Sequence, residues 1–208
     1  SVSTVLTTFM AGLALGSYYG GRWSDRQREK GAAPKTFLNA YGKLELFIGL
    51  WAVLSLGLLN VVEWGFLTLS RTGLYGFALV PLLFVCSFLV LLPPTTAMGA
   101  SLPVFTQALV WHKDETGSFL SKIYGLNTLG ACCGAATGGL IALPMLGLVK
   151  TILVTAFLNA VIALLARSLG SKLSPLAAEP AAMPTEESPS STAVEKPVPL
   201  EVLPVPPS

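Results

Sequence analysis

An all-α, polytopic bundle of transmembrane helices is the fold class that the sequence predicts, and three observations predict it. Of the 208 residues, 52% are apolar and only 12% are Asp, Glu, Lys or Arg, about half the charged share of an ordinary soluble domain. The mean hydropathy is +0.67. Apolar runs close to the ~20 residues that a helix needs to cross a bilayer recur along the chain. Because they recur, the first reads as a span rather than a cleaved signal peptide.

The first run covers about Val2–Tyr19 and ends at "GGRWSDRQREKGAAPK", which reads as a charged loop. The chain opens at Ser1 already inside this run, which reads as a piece of something longer. A second span covers about Phe37–Val62. A third begins near Leu74, where Leu74–Leu92 is long enough to cross alone. Thr95–Trp111 is then either a second crossing or a continuation, and the basic residues arbitrate. One crossing puts Arg22, Arg26, Arg28, Lys30, Lys35, Lys113, Lys122, Arg167 and Lys172 on one side, against Arg71 and Lys150 on the other. Two crossings divide them almost evenly, so the positive-inside rule selects one crossing. Pro93, Pro94, Gly99 and Pro103 are then expected to break or bend that span as it leaves the membrane.

Further spans cover about Ile123–Leu143 and Val149–Ala166, giving about five. Residues 1–167 are thus the expected helix bundle. Beyond Arg167 the composition changes, and most of the 15 prolines fall between Pro175 and Pro207. Residues 168–208 read as a disordered Pro/Ala/Ser-rich tail or linker, because such a segment buries too little apolar surface to offset its ordering entropy.

Several function classes drop out. A net charge of +2, with the cations in loops beside spans, reports membrane topology and gives no sign of a nucleic-acid partner. There is no strand–GxGxxG–helix unit, phosphate loop or HExxH. Cys86, Cys132 and Cys133 lie in apolar stretches, and His112 has no nearby Cys or His. No catalytic residue, metal site or cofactor is expected.

Two glycine ladders stand out: Gly12, Gly16 and Gly20, then Gly130, Gly134 and Gly138. Spacing of four puts each set on one helix stripe, where small residues let backbones approach closely in lipid. The ladders serve either packing within the bundle or docking against another helical half. Glu45 is the one carboxylate well inside a span, ~12 Å along the helix from Phe37. An acid at that depth faces the bundle interior or a water-filled cavity, which makes Glu45 either a candidate cation or proton site or a structural partner for a polar neighbour. Lys43 is two positions away, off that face, and snorkels to the interface. Thr95 beside the broken span and Asn127 in a later one are further ligand candidates. Thr96, Ser101, Gln107 and Asn159 are polar neighbours of the same kind, able equally to tie helices together. Tyr18, Tyr19, Trp23, Trp64 and Trp111 fall near span ends as interfacial anchors, whereas Trp51 falls in the core.

The segment "GRWSDRQREK" resembles the loop between helices two and three of major facilitator transporters. Gly21, Asp25, Arg26 and Lys30 match that pattern, while Arg28 replaces an expected glycine and Glu29 an expected basic residue. The resemblance implies a cytoplasmic latch in which the acid caps a neighbouring helix end and the basic residues pin it. "TTFMAGLALGSYYGGRWSD", "YGKLEL", "PPTTAMGASLPVF" and "GSFLSKIYGLNTLGACCGAATGGLIALPMLG" together resemble the membrane domain of multi-pass spermidine-synthase-like proteins. These are bacterial fusions of a major-facilitator-like bundle with an aminopropyltransferase-like domain. The resemblance implies an incomplete six-helix half of a major facilitator fold in the bacterial inner membrane, with residues 21–35 and the tail cytoplasmic. It implies a non-catalytic domain that anchors, or moves solute for, a polyamine-type enzyme domain not contained in these residues, so no catalytic residue carries over. The expected partners are the lipid bilayer and the remainder of a longer chain or a second copy. The alternative is a half-transporter for a small solute.

Overall fold

The computed structural model describes residues 2–70, 79–109 and 116–176, and every element among them is helical. In chain order these are α1 (Val2–Glu29), α2 (Pro34–Ser70), α3 (Leu79–Leu109), α4 (Thr116–Ala136), a π-helix (Thr137–Ala142) and α5 (Leu143–Leu176). The start of the third expected span at Leu74, Trp111 and His112 in the connection after α3, and residues 177–208 of the expected tail lie outside the described residues, whereas residues 168–176, expected to begin that tail, continue α5 as helix. Among the described residues three stretches are long and apolar enough to cross a membrane: Pro34–Thr68, Phe84–Leu109 and Leu120–Lys172. The last is divided at Gly147, whose backbone (φ 75°, ψ 172°) leaves the helical region. The expected first span, within α1, is not among them; Ser, Thr, Gly and Tyr occupy many of its positions.

The charged stretch expected as a loop is helix. α1 runs through Gly20 and Gly21 to Glu29, and the turn comes at Gly31, which adopts φ 72°. Gly31 N donates to Arg28 O at 2.9 Å, and Ala32 N to Gln27 O at 3.0 Å. These are the two bonds of a Schellman cap, which needs a left-handed residue and therefore favours glycine. Arg26 and Arg28 sit in the last turn, where cations complement the exposed carbonyls. Pro34 then opens α2 at a position where its missing N–H costs nothing.

The third span, expected to break or bend at its prolines, does not break. α3 is one helix of 31 residues with Pro93, Pro94 and Pro103 inside it, and it does not turn back as two crossings would require. Each proline removes the donor for the carbonyl four residues earlier. Two of those carbonyls find donors on other helices: Trp51 Nε1 donates to Val90 O at 2.9 Å, and Ser17 Oγ to Gly99 O at 3.1 Å. An apolar interior makes an unpaired carbonyl costly, so these bonds let the helix continue through its prolines.

α1 packs along α3, and α2 packs on both α3 and α5. The α1 stripe is longer than the glycine ladder alone: Thr8, Gly12, Gly16, Gly20 and Ser24 are all buried at spacing four. A Cβ on Gly12 would collide with Thr95, one on Gly16 with the Thr96 and Ala100 backbone, and one on Gly20 with Ala100 Cα at 2.8 Å. The backbones are in direct contact, which only hydrogen side chains permit. The Ser24 hydroxyl is buried with no hydrogen-bond partner, so its small volume is what the stripe uses. A second small-residue seam joins α2 to α5: a Cβ on Gly42 would stand 3.0 Å from Ala163 O, and one on Gly49 3.1 Å from Ala156 O. Phe37, Leu38, Val104 and Ala108 form the buried cluster where α2 and α3 meet. Trp23 caps it edge-on against Phe37, with centroids 6.0 Å apart.

α4 differs from the rest. Its described side chains are exposed apart from Ile123, and a Cβ on Gly130, Gly134 or Gly138 would meet nothing within 4 Å. The second ladder therefore packs on no described element, unlike the first.

Candidate functional site

A cavity of about 830 Å³ opens between the helices, and Glu45 lies on its wall. α2 contributes Glu45, Ile48, Trp51 and Ser55, three or four residues apart along one face. α1 supplies Phe9, α3 supplies Cys86, Val90 and Met98, and Asn127 and Asn159 arrive from α4 and α5. The Pro94 position helps shape the wall, because Trp51 is held by its bond to Val90 O and by Phe47, whose ring centroid is 5.6 Å away.

Glu45 is buried, with 9% of its surface accessible. Tyr41 stands one turn earlier on the same face of α2. Among the described residues no Lys, Arg or His lines the cavity. Lys43 faces a separate groove of about 630 Å³ with Tyr19, Trp23 and Asn39, so the nearest cation in sequence does not neutralise Glu45. The hydroxyls of Ser55, Ser101 and Thr155 donate within their own helices, to Ala52 O, Met98 O and Thr151 O at 2.7, 2.7 and 2.9 Å. Their oxygens are left as acceptors on the cavity wall. Asn127 and Asn159 make no side-chain hydrogen bond to a described residue. The site thus combines one carboxylate, uncommitted amides and a largely apolar wall.

Of the sequence-predicted ligand candidates, Glu45 and Asn127 meet at this cavity and Thr95 does not. Thr95 is buried at the α1–α3 contact, and its hydroxyl donates to Leu91 O at 2.8 Å and Leu92 O at 3.0 Å. Asn159 joins the site instead.

The expected latch residues divide as well. Asp25 is engaged: Gln107 Nε2 near the end of α3 donates to its Oδ1 at 3.1 Å, and Arg28 Nη1 donates to Gln107 Oε1 at 2.9 Å. Arg26 and Lys30 are exposed and take no part, and Gly21 has open space around it. The clamp joins the last turns of α1 and α3 through an amide that uses both its ends. Spacing could not reveal it, because Arg28 departs from the pattern and Gln107 lies 79 residues away. Among the described residues no group of three or more His, Cys, Asp or Glu is placed to hold a metal ion.

Among the described residues, fold and site together define an all-helical arrangement with membrane-length apolar helices around a carboxylate-bearing cavity. No family model matches the chain, and no curated protein or solved structure matches it either.

Proposed function

We propose that this chain is a non-catalytic, multi-pass membrane domain of about five spans that holds or moves a solute at the Glu45 cavity. The observation that carries this reading is the buried carboxylate on a cavity wall to which no described residue adds a basic side chain. An ionisable group at membrane depth is costly and marks a solute or ion path more often than it marks packing. The motif resemblance extends the proposal: the domain anchors, or moves solute for, a polyamine-type aminopropyltransferase domain of a spermidine-synthase-like fusion in the bacterial inner membrane. The excess of basic residues puts residues 21–35 and the tail on the cytoplasmic side. The second reading is a half-transporter of the major facilitator type that pairs with another helical half or a second copy. The open stripe Gly130, Gly134 and Gly138 favours it, because small residues in lipid serve close helix approach.

Extending the reading frame in both directions separates the two. A downstream strand followed by a glycine-rich nucleoside-type motif supports the fusion, and six further spans without one support the transporter. Aminopropyl transfer by the purified chain would overturn the non-catalytic assignment.

A further inference from the structure

We infer that the Glu45 cavity binds a singly charged organic ammonium ion with an apolar body. The inference rests on the proposal that this cavity is where solute is held, and it names the chemical class.

Charge sets the first constraint. Among the described residues one carboxylate lines the cavity and no basic side chain does, so a bound monocation is neutralised once. An anion would face Glu45 without any compensation. A solute with several cationic centres would leave all but one of them against an uncharged, largely apolar wall, where an unpaired charge is strongly disfavoured.

Size and donor pattern set the second. A bare metal ion is held by several oxygens at fixed short distances, and no cluster of three or more acidic, His or Cys side chains is present among the described residues. At about 830 Å³ the cavity falls in the range of sites for drug-sized molecules. An ammonium head has up to three N–H donors. Glu45 accepts one, and the uncommitted carbonyl oxygens of Asn127 and Asn159 are acceptors on the same cavity. Phe9, Trp51 and Met98 present apolar surface for the body of the molecule. The Trp51 indole N–H is already given to Val90 O, so Trp51 offers its ring and not a competing donor.

The test is equilibrium binding to the full chain in lipid nanodiscs, with three probes: 4-phenylbutylammonium, its neutral analogue 4-phenylbutanol, and spermidine. The expected result is saturable binding of 4-phenylbutylammonium, with the other two at least about tenfold weaker, the factor carried by one charged hydrogen bond. Glu45→Gln should lower the ammonium affinity by a similar factor. Asn159→Ala, which keeps the charge and the Cβ beside Gly49, should also weaken it and serves if Glu45→Gln does not fold. Equal binding of the alcohol would overturn the ammonium assignment. Spermidine binding as tight as the monoamine would overturn the single-charge assignment while leaving a solute cavity in place. Failure of all three probes would overturn the inference, and the reading-frame extension would still decide the membrane-domain proposal independently.

Discussion

The Trp51 indole donates to the Val90 carbonyl at 2.9 Å, the same carbonyl that Pro94, four residues later, leaves without its helical donor. One side chain of α2 thereby supports both an uninterrupted α3 and the wall of the Glu45 cavity. Trp51→Phe should destabilise the reconstituted chain by about 0.6–1.7 kcal/mol, the range for a hydrogen bond inside a membrane protein. On a Pro94→Ala background, where the backbone N–H returns, the same change should cost less. A double-mutant cycle by reversible unfolding in mixed micelles reads that difference as the coupling.

The two glycine ladders should respond oppositely to a methyl group. Gly16→Ala forces a Cβ into the Thr96–Ala100 backbone and should destabilise by about 1–3 kcal/mol, as overpacking does. Gly134→Ala meets open space and should be neutral or stabilising by about 0.5–1 kcal/mol through helix propensity. Gly134→Leu should leave stability intact but lower cross-linking to another helical half or a second copy far more than Leu164→Phe does. Equal cross-linking for the two would reject the docking role.

The contrast between these ladders shows what the sequence could and could not reveal. Spacing identified both stripes, yet a stripe reports only that close approach is possible, and its partner is a property of the fold. Glu45 was legible because a carboxylate in an apolar run has few other places to go. The unbroken α3 was not, because the donors that rescue its carbonyls, Trp51 and Ser17, lie 39 and 82 residues away in sequence. The charged end of α1 reads as a loop because its charges follow an apolar run, but charge alone does not stop a helix, and Gly31 is the residue with positive φ. Thr95 reads as a ligand because it lies beside an expected break that would open a cavity; in the continuous helix it is spent on carbonyls of its own helix and on the contact with Gly12.

The clamp at the ends of α1 and α3 should be energetically modest, since its members are exposed or only half-buried. A double-mutant cycle between Asp25→Ala and Gln107→Ala should show coupling of about 0.5–1 kcal/mol. Arg26→Ala and Lys30→Ala should show none with Gln107. Coupling at Lys30 instead would restore the latch expected from the motif.

Topology is tested by single cysteines labelled from each side of the membrane. Positions in 21–35 and 111–122 should label from the cytoplasmic side and those in 62–73 from the outside. Labelling of 111–122 from outside would reject the single crossing of α3.

Cys86 offers the most direct measurement of the central claim, that Glu45 makes this cavity a cation site. It is a free thiol, half-buried on the cavity wall. In a Cys132→Ser, Cys133→Ser background, its modification is followed with a cationic and an anionic methanethiosulfonate of equal size. The cationic reagent should react at least about tenfold faster relative to free thiol, as a focused negative site requires, and Glu45→Gln should remove the difference. Equal relative rates for the two reagents in the chain that retains Glu45 would contradict the claim.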